Sequence, residues 1–267
     1  MIDKPAEFRR MFAVEEQLWW YRHLHNQVSQ AIHNQFGARK DLAIFDAGCG
    51  TGGMLHRLRK QGYTTLRGVD GSEEGVLFCR ERGLPVDCLN LNNLATYTPA
   101  DLPEQAFDVI ICNDVFCYFY DPELLTLLSE LRRLLKPGGI LISNNNAFSV
   151  FWGQHDLAVG SQRRFVRADF DRLAPLAGLK ITFSTYWSLT LAPLILLVRQ
   201  WQALQLRLGW RSVDAPGSDV YLPHPVVNKL FYGLVTTERK LLTSAPFGSS
   251  LFLIFSNPAA SGQAVPD

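Results

Sequence analysis

The stretch from Phe45 to Leu58 reads FDAGCGTGGMLHRL: an apolar start, an aspartate, four glycines and then a helical pattern. Gly48, Gly50 and Gly53 satisfy the spacing GxGxxG, while Gly48, Gly50 and Gly52 satisfy GxGxG. Without Cβ atoms these residues permit a tight turn from strand into helix and let a ligand approach the backbone closely. The glycines alone do not choose the ligand.

Two carboxylates narrow the choice. Asp70 ends the next apolar run, LRGVD, where it can accept both hydroxyls of an adenosine ribose, a position shared by dinucleotides and other adenosine cofactors. Asp46 sits at the mouth of the glycine loop, where a dinucleotide would set its pyrophosphate against a helix N-terminus, and two negative groups there repel. S-adenosylmethionine brings a sulfonium and an ammonium instead, which a carboxylate attracts by about a few kcal/mol at an effective dielectric of about 20. Asp46 therefore points to S-adenosylmethionine; the plainer reading is that it caps the following turn.

Outward from this loop, strands and helices alternate. LAIFDAG leads to a helix from Gly53, LRGVD to a helix from Glu73 to Arg82, and a short strand follows at Pro85 to Cys88. Then come FDVIICN, the helix PELLTLLSELRRLL, GGILISN, a helix from Ala168 to Leu176, the strand LKITFSTYW and a last strand, SLFLIFS. Runs such as VIIC and ILI fit strands buried on both faces, and right-handed crossovers then give a doubly wound, mostly parallel sheet. Asp121-Pro122 is read as capping and opening its helix, and Lys136-Pro137-Gly138-Gly139 as closing it. Residues 1–37, with EEQLWWYRHLH, and Ser188 to Ser249 fall outside the alternation, and the tail after Asn257 reads as frayed.

Composition sets the partners. Lys and Arg number 26 against 25 Asp and Glu, a net charge of +1, so no global field draws the chain to nucleic acid. The five cysteines form no CxxC pair, which disfavours a zinc site and suits a reducing compartment, and the N-terminus lacks a secretory pattern, so the cytoplasm is expected. Ile181 to Val198 carries no charge and approaches the minimum spanning length of roughly 17 residues. Its first half alternates like a strand and Pro193 interrupts the rest, which argues against a span.

In IFDAGCGTGG, GVDGS, FDVIICNDVFCYF and LLKPGGILIS, in that order and spacing, residues 40–187 resemble the class I S-adenosylmethionine-dependent methyltransferases. The resemblance implies a Rossmann-like α/β fold, here a seven-stranded sheet with helices on both faces. It assigns Asp46, Gly48, Cys49 and Gly50 to the methionine end of the cofactor, Asp70 and Gly71 to the ribose side, Asn90 to adenine and Asn113 to the methionine pocket. EEQLWWYR, FWGQHDLAVGSQRRF and the closing PFG turn resemble a narrower bacterial subgroup, often linked to saccharide, lipid or secondary-metabolite pathways. The implied organisation is an N-terminal helical lid (1–37), a cofactor-binding core (38–187), a helical insertion capping the acceptor (188–249), and the last strand and tail (250–267).

Methyl transfer to oxygen requires alignment in a dry pocket and removal of one proton. Many small-molecule members place an acid-histidine pair after the fourth strand, where this chain has Cys117 and Tyr118. His155 is then the candidate base, with Asp156 to orient it; a loop-ordering role is the alternative. Arg163 and Arg164 are candidates to clamp an acceptor's carboxylate or phosphate, against a charge cluster paired with Asp169 and Asp171. Trp19 and Trp20, with Tyr21, read as an aromatic lid over sulfonium or acceptor, or as a staple on the sheet. In the insertion, Leu194, Leu197, Val198, Trp201, Leu204 and Leu208 form a helical stripe expected to pack on Phe231, Leu234 and Leu241, with peripheral membrane contact through 189–208 as the other reading. The expected function is methyl transfer from S-adenosylmethionine to a small-molecule, saccharide or lipid-linked acceptor at oxygen. The rivals are a noncatalytic cofactor-binding or membrane-peripheral partner protein and an NAD-dependent oxidoreductase.

Overall fold

The computed structural model describes residues 5–96, 102–208 and 220–258. Helices α1 (Pro5–Val14) and α2 (Trp19–Phe36) precede the alternating unit: β1 (Ile44–Ala47), α3 (Gly53–Lys60), β2 (Leu66–Asp70), α4 (Glu73–Glu81) and β3 (Val86–Cys88). The chain continues through β4 (Phe107–Ile111), α5 (Asp121–Leu134), β5 (Leu135–Asn146), α6 (Gln154–Val159), α7 (Arg167–Leu176) and β6 (Lys180–Trp187). Two long helices, α8 (Ala192–Arg207) and α9 (Pro225–Leu241), come before the final strand β7 (Ser250–Ser256). The seven strands lie in the order β3-β2-β1-β4-β5-β7-β6, with β7 antiparallel to both neighbours and the pairings from β3 to β5 parallel.

Period-two alternation explains why both sheet faces are apolar. Ile44, Val109, Ile111, Ile140 and Ile142 join one core with α2, α3 and α4, whereas Phe45, Ile110 and Leu141 join the opposite core with α5 and α7. The order reverses between β1 and β4, and the loops after β1, β2 and β4 open on one edge of the sheet, the switch point where doubly wound folds bind ligands.

The structure differs from the sequence reading at several places, among them residues 136–139, read as a closing turn and found within β5. Helix α5 begins at Asp121 itself, and that carboxylate goes to Arg163 and Arg172, each at 2.5 Å, rather than capping the helix. The short helix α6 was read as loop, because six residues are too few to show a period. The α8 stripe, expected to be buried against α9, is instead largely exposed among the described residues: Leu194, Leu197, Val198, Trp201, Leu204 and Leu208 stand 43–63 % exposed. Periodicity reveals one apolar face of a helix but not what lies opposite it. No helix among the described residues is long and apolar enough to cross a membrane. The far end of the tail read as frayed, 259–267, lies outside the described residues.

Candidate functional site

At the switch point the three loops and the N-terminal helices enclose a cavity of about 430 Å³. Its floor is the glycine loop. Gly48, Gly50 and Gly52 have φ of +82°, +58° and +79°, a region where a side chain is strained. A Cβ on Gly48 would come within 2.4 Å of Val115, so both conformation and space require glycine there.

Asp46, at the end of β1, lines this cavity and is 3 % exposed. Its carboxyl has no hydrogen-bond partner among the described residues, and burial, reinforced by Asp70 and Glu15, pushes its pKa up to about 8. A buried carboxyl without a partner is costly unless a ligand satisfies it. Asp70 is held rigidly: its oxygens accept the Gly50 N–H at 2.8 Å and the Ser72 N–H at 2.9 Å, while burial raises its pKa. The two carboxylates and the bare loop between them fit a ligand with cationic groups and a ribose, which is the donor pattern of S-adenosylmethionine. They do not suit the pyrophosphate of a dinucleotide.

Asn113 follows β4 and lines the cavity, with its side-chain carbonyl accepting the Asn144 N–H at 2.9 Å. Cys49 also lines it. Gly71 and Asn90 are not among the lining residues; Asn90 is exposed and its side chain accepts the Asn92 N–H at 3.0 Å, closing its own turn.

The residue that sequence reasoning passed over is Asp114. It adopts φ +56°, lines the cavity, and accepts hydrogen bonds from Asn144 Nδ2 at 3.1 Å on each oxygen. Asn144 in turn accepts the indole N–H of Trp187 at 2.9 Å, and the Asp114 N–H donates to the Asn144 carbonyl at 2.7 Å. Burial raises the Asp114 pKa to about 7, against the lowering effect of Asn144 and of Arg164. Its signal in the sequence was a carboxylate immediately after β4, beside the Asn113 that the motif singled out.

His155, on α6, lines the cavity, but Asp156 does not orient it. Both Asp156 oxygens go to Arg164, at 2.9 and 3.0 Å, and the Gly153 N–H donates to one of them at 2.8 Å. The Arg164 side chain is only 4 % exposed and also donates to the Ala147 carbonyl, so this arginine holds the loop after β5 rather than standing free as a clamp. Arg163 lies outside the lining and pairs with Asp121 and Asp169, whereas Asp171 pairs with Arg167. Cys117 and Tyr118 both line the cavity.

Trp19 and Trp20 stand between the cavity and the sheet. Both line the cavity, and both pack on Trp187, with ring centroids at 6.5 and 5.7 Å; Trp19 also meets Phe231 edge-on at 5.7 Å. Helix α1 closes the glycine loop from above. Phe8 packs over Gly75, and Glu15 accepts the Thr51 hydroxyl at 2.7 Å while pairing with Arg82 at 2.7 Å.

A methyltransferase-domain family profile matches residues 45–143. Phosphoethanolamine N-methyltransferase 1 of Zea mays is 32% identical over 102 residues, which cover 38% of this chain and 20% of that one. A ubiquinone biosynthesis O-methyltransferase of Histophilus somni is 30% identical over 117 residues, covering 42% of this chain and 48% of its own length. The chain thus spans less than half of each of these relatives. Among solved structures, geranyl diphosphate C-methyltransferase of Streptomyces coelicolor, crystallised with S-adenosyl-L-homocysteine, superposes with a TM-score of 0.55 at 17% identity, covering 89% of this chain and 80% of that one. The likeness of fold extends to the [4+2]-cyclase SpnF, at a TM-score of 0.52 and 17% identity over 88% of this chain and 81% of that one. Residues 45–143 thus carry a methyltransferase domain, and the sheet built around it has the Rossmann-like fold of the class I S-adenosylmethionine-dependent methyltransferases.

Proposed function

We propose that the protein transfers a methyl group from S-adenosylmethionine to an oxygen of a small-molecule, saccharide or lipid-linked acceptor, with an apolar portion of that acceptor held in the cavity. The observation that carries this reading is the unpartnered Asp46 carboxyl facing the cavity beside the ribose-side carboxylate Asp70. Asp46, Asp70 and Asp114 form no ion pair with a cation among the described residues and burial raises the pKa of each, so a cationic ligand beside them would be held by drawing out their ionised forms.

The bound cofactor supplies an electrophilic methyl carbon. Everything else falls to the chain: Asp46 attracts the cationic end, Asp70 takes the ribose hydroxyls, and α1 with Trp19 and Tyr21 excludes water. The apolar lining, including Leu18, Leu24, Phe151, Leu194 and Val198, supports an acceptor with a lipid or other apolar part. Asp114 is the favoured proton acceptor, since Asn144 holds its carboxylate in place and its pKa of about 7 matches general-base work near neutrality. His155 is the second candidate, on the same cavity wall.

The test is incubation with S-adenosylmethionine labelled in its methyl group and a bacterial extract divided into aqueous and lipid fractions, with Asp70→Ala as control. Label in one fraction with the intact protein alone supports the reading and identifies the acceptor class. Cofactor binding without labelled product in either fraction favours the noncatalytic rival.

A further inference from the structure

Helix α8 carries an exposed apolar stripe. Leu194, Leu197, Val198, Trp201 and Leu204, together with Leu208 just beyond its end, recur at intervals of three and four and are 43–63 % exposed. The polar Arg199, Gln202 and Gln205 are only half-exposed. In a protein whose surface meets water alone, such a stripe faces the core.

This face is continuous with the cavity. Leu194 and Val198 are exposed and also line the cavity, as is Tyr221 at 63 %, so these residues mark its mouth. Val150, 56 % exposed in the short turn that packs against α8, and Trp152, 36 % exposed just after it, extend the apolar collar. Contiguous apolar surface of this kind marks an interaction site.

Charge identifies the occupant. Residues 188–249 hold six Lys and Arg against three Asp and Glu. Helix α8 has no carboxylate, and the one on α9, Glu238, is buried, accepting the N–H groups of Leu189 and Thr190 at 3.0 and 2.8 Å. Lys229 and Lys240 on α9 are exposed. The net positive charge of this segment opposes its pairing with a second copy of itself, whereas a bilayer with anionic headgroups complements both the charge and the apolar stripe.

We propose that the α8 face docks the protein peripherally on an anionic lipid bilayer, with the apolar stripe at the acyl boundary and the cavity mouth opening onto the membrane. The proposal concerns the outer surface and stands whether or not methyl transfer occurs. It is tested by co-sedimentation of the full chain with vesicles of phosphatidylcholine alone and of phosphatidylcholine mixed with phosphatidylglycerol. Binding is expected to the mixed vesicles and to weaken with salt. The double variant Leu197→Glu, Leu204→Glu is expected to lose binding, and Lys240→Ala to lose about fivefold, the share of one basic residue at such a surface. None of these three residues lines the cavity, so cofactor affinity by calorimetry and the thermal midpoint should match the parent chain. Failure of the parent chain to bind mixed vesicles, equal binding to neutral ones, or undiminished binding by the double variant would each overturn the proposal. So would a dimer in sedimentation velocity that Leu197→Glu dissociates while vesicles bind neither form.

Discussion

Asp46 is buried on the cavity wall with its pKa raised chiefly by that burial. With a pKa of about 8 it is mostly protonated near neutrality in the cofactor-free protein, and a cation bound beside it favours the ionised form. Cofactor binding should therefore release a proton near pH 7, seen as a calorimetric heat that varies with the ionisation enthalpy of the buffer. Asp46→Asn should weaken binding by about 10- to 100-fold, part of the Coulomb energy of a close charge pair, and abolish that proton release. Asp114 makes a second, separable prediction. Asp114→Asn should lower the single-turnover rate by about 10²- to 10⁴-fold, the usual contribution of a general base, with cofactor affinity little changed. The parent's rate should rise with pH through an apparent pKa close to 7. If His155→Ala instead removes that pH dependence, the base is the histidine.

Among the elements, α9 links the outlying helices. The Leu18 side chain preceding α2 cannot cap it, and Asn228 supplies the missing partner from 209 residues away in sequence, accepting the Trp19 N–H at 2.8 Å and donating to the Gln17 carbonyl at 2.9 Å. Glu238 does the same for the start of the α8 segment. Asn228→Ala should destabilise the fold by about 1–3 kcal/mol, the cost of leaving buried backbone groups unsatisfied, visible as a lower midpoint in urea. Because Trp19 and Trp20 sit at that helix start and line the cavity, the same change should also weaken cofactor binding. The α6 segment shows how two arginines adjacent in sequence diverge. Phe165 bridges to Ala147 beside the sheet, which places Arg164 against Asp156, while Arg163 turns outward to Asp121.

Across the whole molecule the buried carboxyls of the cavity tie stability to pH. Asp46 and Asp114 ionise at about 8 and about 7 in the fold and at about 4 in an unfolded chain. Between those limits the folded state holds more protons, so their contribution is greatest below the unfolded values and is lost as pH rises through the folded ones. The thermal midpoint of the cofactor-free protein should show this loss from pH 5 to 8. Asp46→Asn should reduce it, and saturating cofactor should flatten it. The seven strands and the glycine loop were legible in the sequence because strand alternation, glycine spacing and carboxylates at strand ends are local consequences of backbone geometry. Even the cavity position of Asp46 follows locally, from its place at the carboxyl end of a buried strand. The sequence could not assign Asp156 to Arg164, place Asp114 on the cavity wall through Asn144 and Trp187, or leave the α8 stripe so exposed. Those outcomes depend on which surfaces distant segments bring together, and a local period carries no information about the element that faces it.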